Sequence, residues 1–250
     1  DRFDAIYRPK TLTELGYNTI TPATEKEIGF DLSKDPTIQS RAWLATGSTL
    51  CSDATKICGK ALNAAYADAA NASCFYNGFF VVHLNGGTEF TWDAGTGNSS
   101  TASLVGKFLF IVTGDVTSSD PWPTTATNTD PTNPTNVQFI YVTKTGNIFA
   151  HFNPRITNST TAVVPFFGYV RVEDPGGGGT RSWDFAAPVT LEGAFHVVGD
   201  PTKVNMNVNS SPTGQTTFNL NQGTLSAIGA AFGTVFTDPV SGVPLVNPAL

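Results

Sequence analysis

The sequence predicts a mainly β protein, a β-solenoid or β-sandwich body with a small N-terminal helical segment, and three observations carry that expectation. From Phe75 onward, short apolar runs alternate with clusters of Gly, Pro, Asn and Asp, the punctuation of strands joined by turns. The 250 residues include 24 Gly and 16 Pro but only 14% charged side chains, against about 25% in an ordinary domain, so Thr, Asn, Ser and Gly must cover the surface. Finally, 40% of the chain is hydrophobic, with 18 Phe, enough for a sizeable core at this length. The expected division is a mixed, helical segment with a disulfide loop over 1–74 and a β-rich body over 75–250.

Taken in order, residues 1–50 mix short helical cues, Thr24-Glu25-Lys26-Glu27 and Asp35-Pro36 ahead of Ile38 to Trp43, with turns. The chain opens DRFDAIYRPK, without an initiator Met or signal peptide, and is read as a processed or truncated product. The segment after Cys58 reads as a helix over 59–72, with Ala61, Leu62, Ala65, Tyr66 and Ala69 on one face. A straight helix there rises about 1.5 Å per residue and carries Cys74 about 20 Å from Cys58, beyond disulfide reach. The predicted bond is therefore Cys51 with Cys58, closing the loop CSDATKIC, whose spacing fits neither a CxxC redox pair nor a zinc ligand pair.

The strand candidates follow: FYNGFFVVHLNG, EFTWDAG, VGKFLFIVTGDV, VQFIYVTKTGNIFAHF, VVPFFGYVRVED, SWDFAAPVTLEGAFHVVGD and TKVNMNVNSS. The consecutive apolar residues Phe108 to Val112 lack the alternation of a strand with one wet face, so both faces should be covered. Residues 117–136, poor in aliphatics and rich in Pro, Thr and Asn, read as a long surface loop. PGGGGT at 175–180 reads as a flexible turn, and the stretch from Gly223 as a short helix or a buried strand.

Residues 104–116, LVGKFLFIVTGDV, and 190–200, TLEGAFHVVGD, share a Gly, Phe, apolar run and Gly-Asp order. Gly and Asp tolerate turn geometry at strand ends, so the echo reads as one building unit used twice. The cadence GFFVVHLNGG, VGKFLFIVTGDV, VTKTGNIF, LEGAFHVVGD resembles the β-rich, solenoid-like exported regions of bacterial pilus-associated surface proteins, over residues 76–232. The N-terminal hydrophobic helix of such proteins is not found in this sequence. The resemblance implies a surface-appendage role and no active site.

A net charge of −6 without any basic block argues against nucleic acid, and the apolar runs fall far short of the roughly 20 residues a membrane helix needs. No GxGxxG, P-loop, HExxH, GxSxG or EF-hand pattern occurs. His83, His151 and His196 each sit in an apolar strand and could meet as a metal site, although three separate strand histidines are the plainer reading. Asp93, Asp115, Asp174, Asp184, Glu192 and Asp200 lie near strand ends, where paired carboxylates in sugar enzymes act as acid and base; turn chemistry accounts for Asp115 and Asp200. Trp92, Trp122 and Trp183 adjoin turn residues and are the candidate binding residues, for a sugar ring or a partner. Trp122, between two prolines, either offers its face or folds back as a plug. Asp120 and Asp130, with Asn128, Asn133 and Asn136, are candidate calcium ligands in one loop, and calcium is the one cofactor the residues suggest. Sequons occur at Asn71, Asn98, Asn158 and Asn209.

The function expected from these readings is that of a non-catalytic, extracellular or cell-surface structural protein, not an enzyme. It would be a subunit or module of a filament or pilus-type appendage that self-associates, or joins other appendage subunits, by strand addition. The N-terminal fifty residues are the candidate donor. A carbohydrate-binding or carbohydrate-active β protein is the first alternative, with a glycan as partner, and a viral or phage structural protein is the second.

Overall fold

The computed structural model describes residues 38, 40–44, 47–84, 93, 102–112, 115–118, 122–142, 147–152, 164–173, 181–185, 189–198, 204–208 and 217–232. A two-residue strand, β1 (Trp43–Leu44), precedes the loop closed by a Cys51–Cys58 disulfide with Cα atoms 5.7 Å apart. Cys74 stays outside that bond. Helix α1 (Gly59–Ala67) follows at once and buries Gly59, Ala61, Leu62 and Ala65. It stops earlier than the expected 72 because Asp68 turns extended and its carboxylate accepts from Ala70 N, starting a 3₁₀ segment over Ala69–Cys74. Ala69 is exposed there instead of lying on the buried face.

The first strand candidate, FYNGFFVVHLNG, is two strands. Strand β2 (Phe75–Tyr76) folds back on β3 (Phe79–Leu84) through Asn77 and Gly78, both at positive φ (46° and 84°), the conformation a two-residue hairpin turn demands. Three further candidates also split, so the order continues with β4 (Lys107–Val112), β5 (Asp115–Ser118), β6 (Val137–Val142), β7 (Asn147–Phe152), β8 (Val164–Glu173), β9 (Arg181–Phe185), β10 (Val189–Val198), β11 (Val204–Val208) and β12 (Thr217–Asn219). The stretch from Gly223 belongs to a helix, α2 (Gln222–Phe232). EFTWDAG lies outside the described residues apart from Asp93, and PGGGGT lies outside them entirely.

The protein is mainly β, and its sheets are parallel. One eight-stranded sheet runs β1-β3-β4-β6-β8-β10-β12, with β2 antiparallel on β3; a four-stranded sheet runs β11-β9-β7-β5. From β4 to β12, each strand in sequence belongs to the opposite sheet from the one before it. Phe108, Gln138 and Gly168 share one row, 30 residues apart each time, and Gly193 continues it.

The large sheet is covered on both faces, as its uninterrupted apolar strands require. One face carries Phe80, Val82, Leu84, Phe108, Phe110, Val112, Ile140 and Val142, packed with Leu62 and Ala65 of α1 and with Trp122. The other carries Phe79, Val81, Leu109, Ile111, Phe139 and Tyr141, packed with Ile38 and with Leu225, Ile228 and Ala231 of α2. Tyr66 closes the α1 side, its ring 5.1 Å from both Phe75 and Phe108. Gly106, at φ 112°, lies beneath that ring, where a Cβ would collide.

The long loop departs most from expectation. Residues 122–136 do not run over the surface as a free loop: Leu104 and Thr125 form a parallel bridge, with Leu104 N donating to Thr124 O (2.7 Å) and Ala126 N to Leu104 O (2.9 Å). Part of the expected donor segment is used within the chain, since Trp43 and Leu44 pair with Val82 and His83. Residues 1–37 lie outside the described residues.

Candidate functional site

Trp122 is the plug. It is 1% exposed, edge-on to Phe110 with ring centroids 5.1 Å apart, and its Nε1 donates to Gln138 Oε1 at 2.9 Å. Gln138 Nε2 in turn donates to Pro123 O and Thr125 Oγ1, both at 3.0 Å. A buried indole and amide satisfy each other there, which is the condition for placing polar atoms in a core. No face of this indole is available to a sugar ring, which corrects its candidacy as a binding residue.

The amides of the same loop serve its backbone. Asn128 Oδ1 accepts from Asn136 N (2.8 Å) and its Nδ2 donates to Asn136 O (2.9 Å), while Asn136 Oδ1 accepts from Gly106 N (2.8 Å). Asp130 Oδ1 accepts from Thr132 N (2.8 Å) and Thr132 Oγ1 (2.6 Å), and these bonds hold its carboxyl below the usual range. The calcium candidate is thus a turn former, and Asp120 lies outside the described residues. Among the described residues no group of three or more His, Cys, Asp or Glu is placed to hold a metal ion.

The histidines do not converge. His83 and His196 occupy one row of the large sheet with Ile111, Tyr141 and Arg171 between them, roughly 19 Å apart at about 4.8 Å per strand. His151 belongs to the four-stranded sheet. Burial pushes the half-buried His83 imidazole below its ordinary value.

The carboxylates are scattered too. Glu192 lies within β10 and accepts from Asn219 Nδ2 (2.9 Å) and Asn221 Nδ2 (3.4 Å), tying β12 and the start of α2 to the sheet. Asp93, 5% exposed, accepts from Ser52 Oγ and Asp53 N in the disulfide loop. Asp115 begins β5. Asp184 falls in a row between His151 and Asn207 on adjacent strands, and Trp183 shares its row with Ala150 and Met206. Trp92, Asp174 and Asp200 lie outside the described residues.

The sequence reading missed Gln138, whose signal was a single amide inside the apolar run VQFIYV. It missed the pairing of Asp93 with the disulfide loop as well. Nothing in the sequence between them marks that meeting. No known protein family, curated protein or solved structure matches this chain.

Proposed function

We propose that this chain is a non-catalytic structural module of a cell-surface filament or pilus-type appendage, built on a β-solenoid body. The observation that carries the reading is the strand order: from β4 to β12 successive strands alternate between two parallel sheets. A coil that contributes one strand to each sheet per turn produces that order, whereas a β-sandwich joins antiparallel strands by hairpins and Greek-key crossings. The row Phe108, Gln138, Gly168 repeats at an even 30 residues, as stacked turns would. Helix α1, with Leu62 and Tyr66 against Phe80 and Phe108, would serve as the terminal cap such coils need. The Cys51–Cys58 bond and the weakly charged surface fit an exported protein.

The sugar-binding reading rests on a separate observation. The register of the four-stranded sheet sets Asp115 beside Asn147, and His151, Asp184 and Asn207 in one row. Such groups hydrogen-bond hydroxyls. Electron microscopy of the purified chain at low and high concentration, with calcium chelated in a parallel sample, tests the first reading. Ordered polymers support it; uniform single particles at every concentration oppose it, and glycan-array binding lost in Asp184→Asn would then favour the second.

A further inference from the structure

We infer that Asn77 is a self-modification site guarded by helix α2: deamidation at Asn77-Gly78 proceeds when the last turn of α2 releases the Asn77 side chain, and the product does not rebind. Asn77 and Gly78 turn β2 into β3 and are both exposed. A Cβ added to Gly78 would meet nothing within 4 Å, so water reaches the turn. Asn77 Nδ2 donates to Ala231 O at 2.6 Å, a bond between residues 154 positions apart. Ala231 belongs to the final turn of α2, where the carbonyls have no partner within the helix. This side chain therefore joins the hairpin turn to the end of the helix.

Asparagine is thermolabile, and a following glycine, with no side chain to crowd its nitrogen, leaves that nitrogen free to attack. Gly78 N adds to Asn77 Cγ and a cyclic imide forms. The Cγ–Nδ2 bond breaks, and Nδ2 departs as ammonia carrying the Gly78 amide proton. Water then opens the ring. Cleavage at Cγ gives aspartate, and cleavage at the Asn77 backbone carbonyl gives isoaspartate. Either way one water enters, one ammonia leaves, and nothing is oxidised or reduced.

The folded turn holds that reaction back. Asn77 is left-handed at φ 46°, a region where ψ is about +30 to +60°, and this swings Gly78 N away from the side-chain carbon. Ring closure needs the Asn77 backbone rotated out of that region, and the bond to Ala231 O holds the amide in place meanwhile. Fraying of the last turn of α2 frees the amide at a cost well below that of global unfolding. Conversion then removes the donor and puts an ionised carboxylate beside carbonyls whose own partial charge is negative. Isoaspartate also lengthens the backbone by one carbon, which a two-residue hairpin turn does not accommodate.

The test is peptide mapping by mass spectrometry of the full chain aged at mildly alkaline pH: folded, unfolded in urea, and as Ala231→Gly, which weakens the last turn of α2. Asn85-Gly86, the other Asn-Gly pair in the sequence, lies outside the described residues and is scored separately in the same digest. Conversion at Asn77 is expected to be at least tenfold slower in the folded chain than in urea. In folded Ala231→Gly it should be about threefold or more faster than in the wild type, while the amides of Leu109 and Ile140 keep their protection in hydrogen exchange. Asn77→Asp reproduces one product in a residue that tolerates the left-handed turn, and should accelerate exchange in the last turn of α2 about tenfold. Equal conversion in the folded chain and in urea, or in Ala231→Gly and the wild type, would overturn the guarding role. Unchanged exchange at the end of α2 in Asn77→Asp would overturn the release. Faster conversion accompanied by lost protection at Leu109 and Ile140 would overturn the proposal equally, making global unfolding the route.

Discussion

Gln138 and Trp122 illustrate how one polar pair fixes a long connection. Each alone would be a misfit in the apolar face they share with Phe110 and Ile140; joined at 2.9 Å, with the remaining amide hydrogens on Pro123 O and Thr125 Oγ1, they hold residues 122–125 against β6. Trp122→Phe should cost about 1–3 kcal/mol, the penalty for stranding the Gln138 carbonyl, and Trp122→Ala about 3–5 kcal/mol; urea denaturation measures both. His83 argues by pH. Its folded pKa is lowered by desolvation, so as pH falls through the ordinary histidine value near 6.5 the unfolded chain binds a proton before the folded one does. Stability is then lost with acidification, down to the folded pKa. Midpoints in urea at pH 7.5 and 5.5 should differ more in the wild type than in His83→Gln, and equal differences would remove His83 from the explanation. Thr224 makes the opposite case: its side chain is buried and its Oγ1 has no hydrogen-bond partner among the described residues. Thr224→Val, nearly isosteric, should be neutral or stabilising by about 1 kcal/mol in the same titration.

At the scale of elements, helix α2 begins with a cap of its own. Asn221 Oδ1 accepts from Thr224 N at 2.9 Å while Asn221 Nδ2 reaches Glu192 on β10, so Asn221→Ala should cost about 1 kcal/mol through the cap, visible as a lower melting temperature. The sequence announced some elements and hid others for identifiable reasons. The unbroken run Phe108 to Val112 required cover on both faces, and α1 with Trp122 on one side and α2 on the other provide it. Asn77-Gly78 is a local hairpin signal, but apolar residues continue on both sides of it, so FYNGFFVVHLNG reads as one stretch. Trp122 could be read either as an offered face or as a plug, since a polar, proline-rich stretch reads as solvent-facing and the partner that decides for the plug, Gln138, lies beyond the loop's end. The echo between 104–116 and 190–200 proved to be strands of one sheet, β4 and β10, with β6 and β8 between them. Its register is shifted: Phe195 shares a row with Phe110, not Phe108, and Gly193 takes the Phe108 row. A shift of two keeps every side chain on its face, which is why the periodicity survived while the positions did not. Gly193 is fixed there by close approach, for a Cβ would overlap the Gly168 carbonyl.

For the whole molecule, the direction of the strands limits how copies could join. In a sheet whose long ladders are parallel, β1 and β12 mark two different edges, and among the described residues β1 pairs with β3 and β12 with β10. A two-fold dimer through either edge would set strands antiparallel, whereas continuing the ladder in its own direction requires the β12 edge of one copy to meet the β1 edge of the next. Such a contact is heterologous and does not close, so it propagates. Each edge also presents an exposed leucine, Leu44 (59%) on β1 and Leu220 (58%) just after β12, and a single exposed leucine needs no explanation unless it is part of an interface. Under the filament reading, Leu220→Lys places an uncompensated charge in that contact and should raise the concentration needed for assembly at least tenfold, at unchanged melting temperature. Sedimentation velocity across a concentration series reads the shift. An assembly threshold equal to the wild type's would take the β12 edge out of the contact, and an identical shift in Leu44→Lys would tie both edges to one interface.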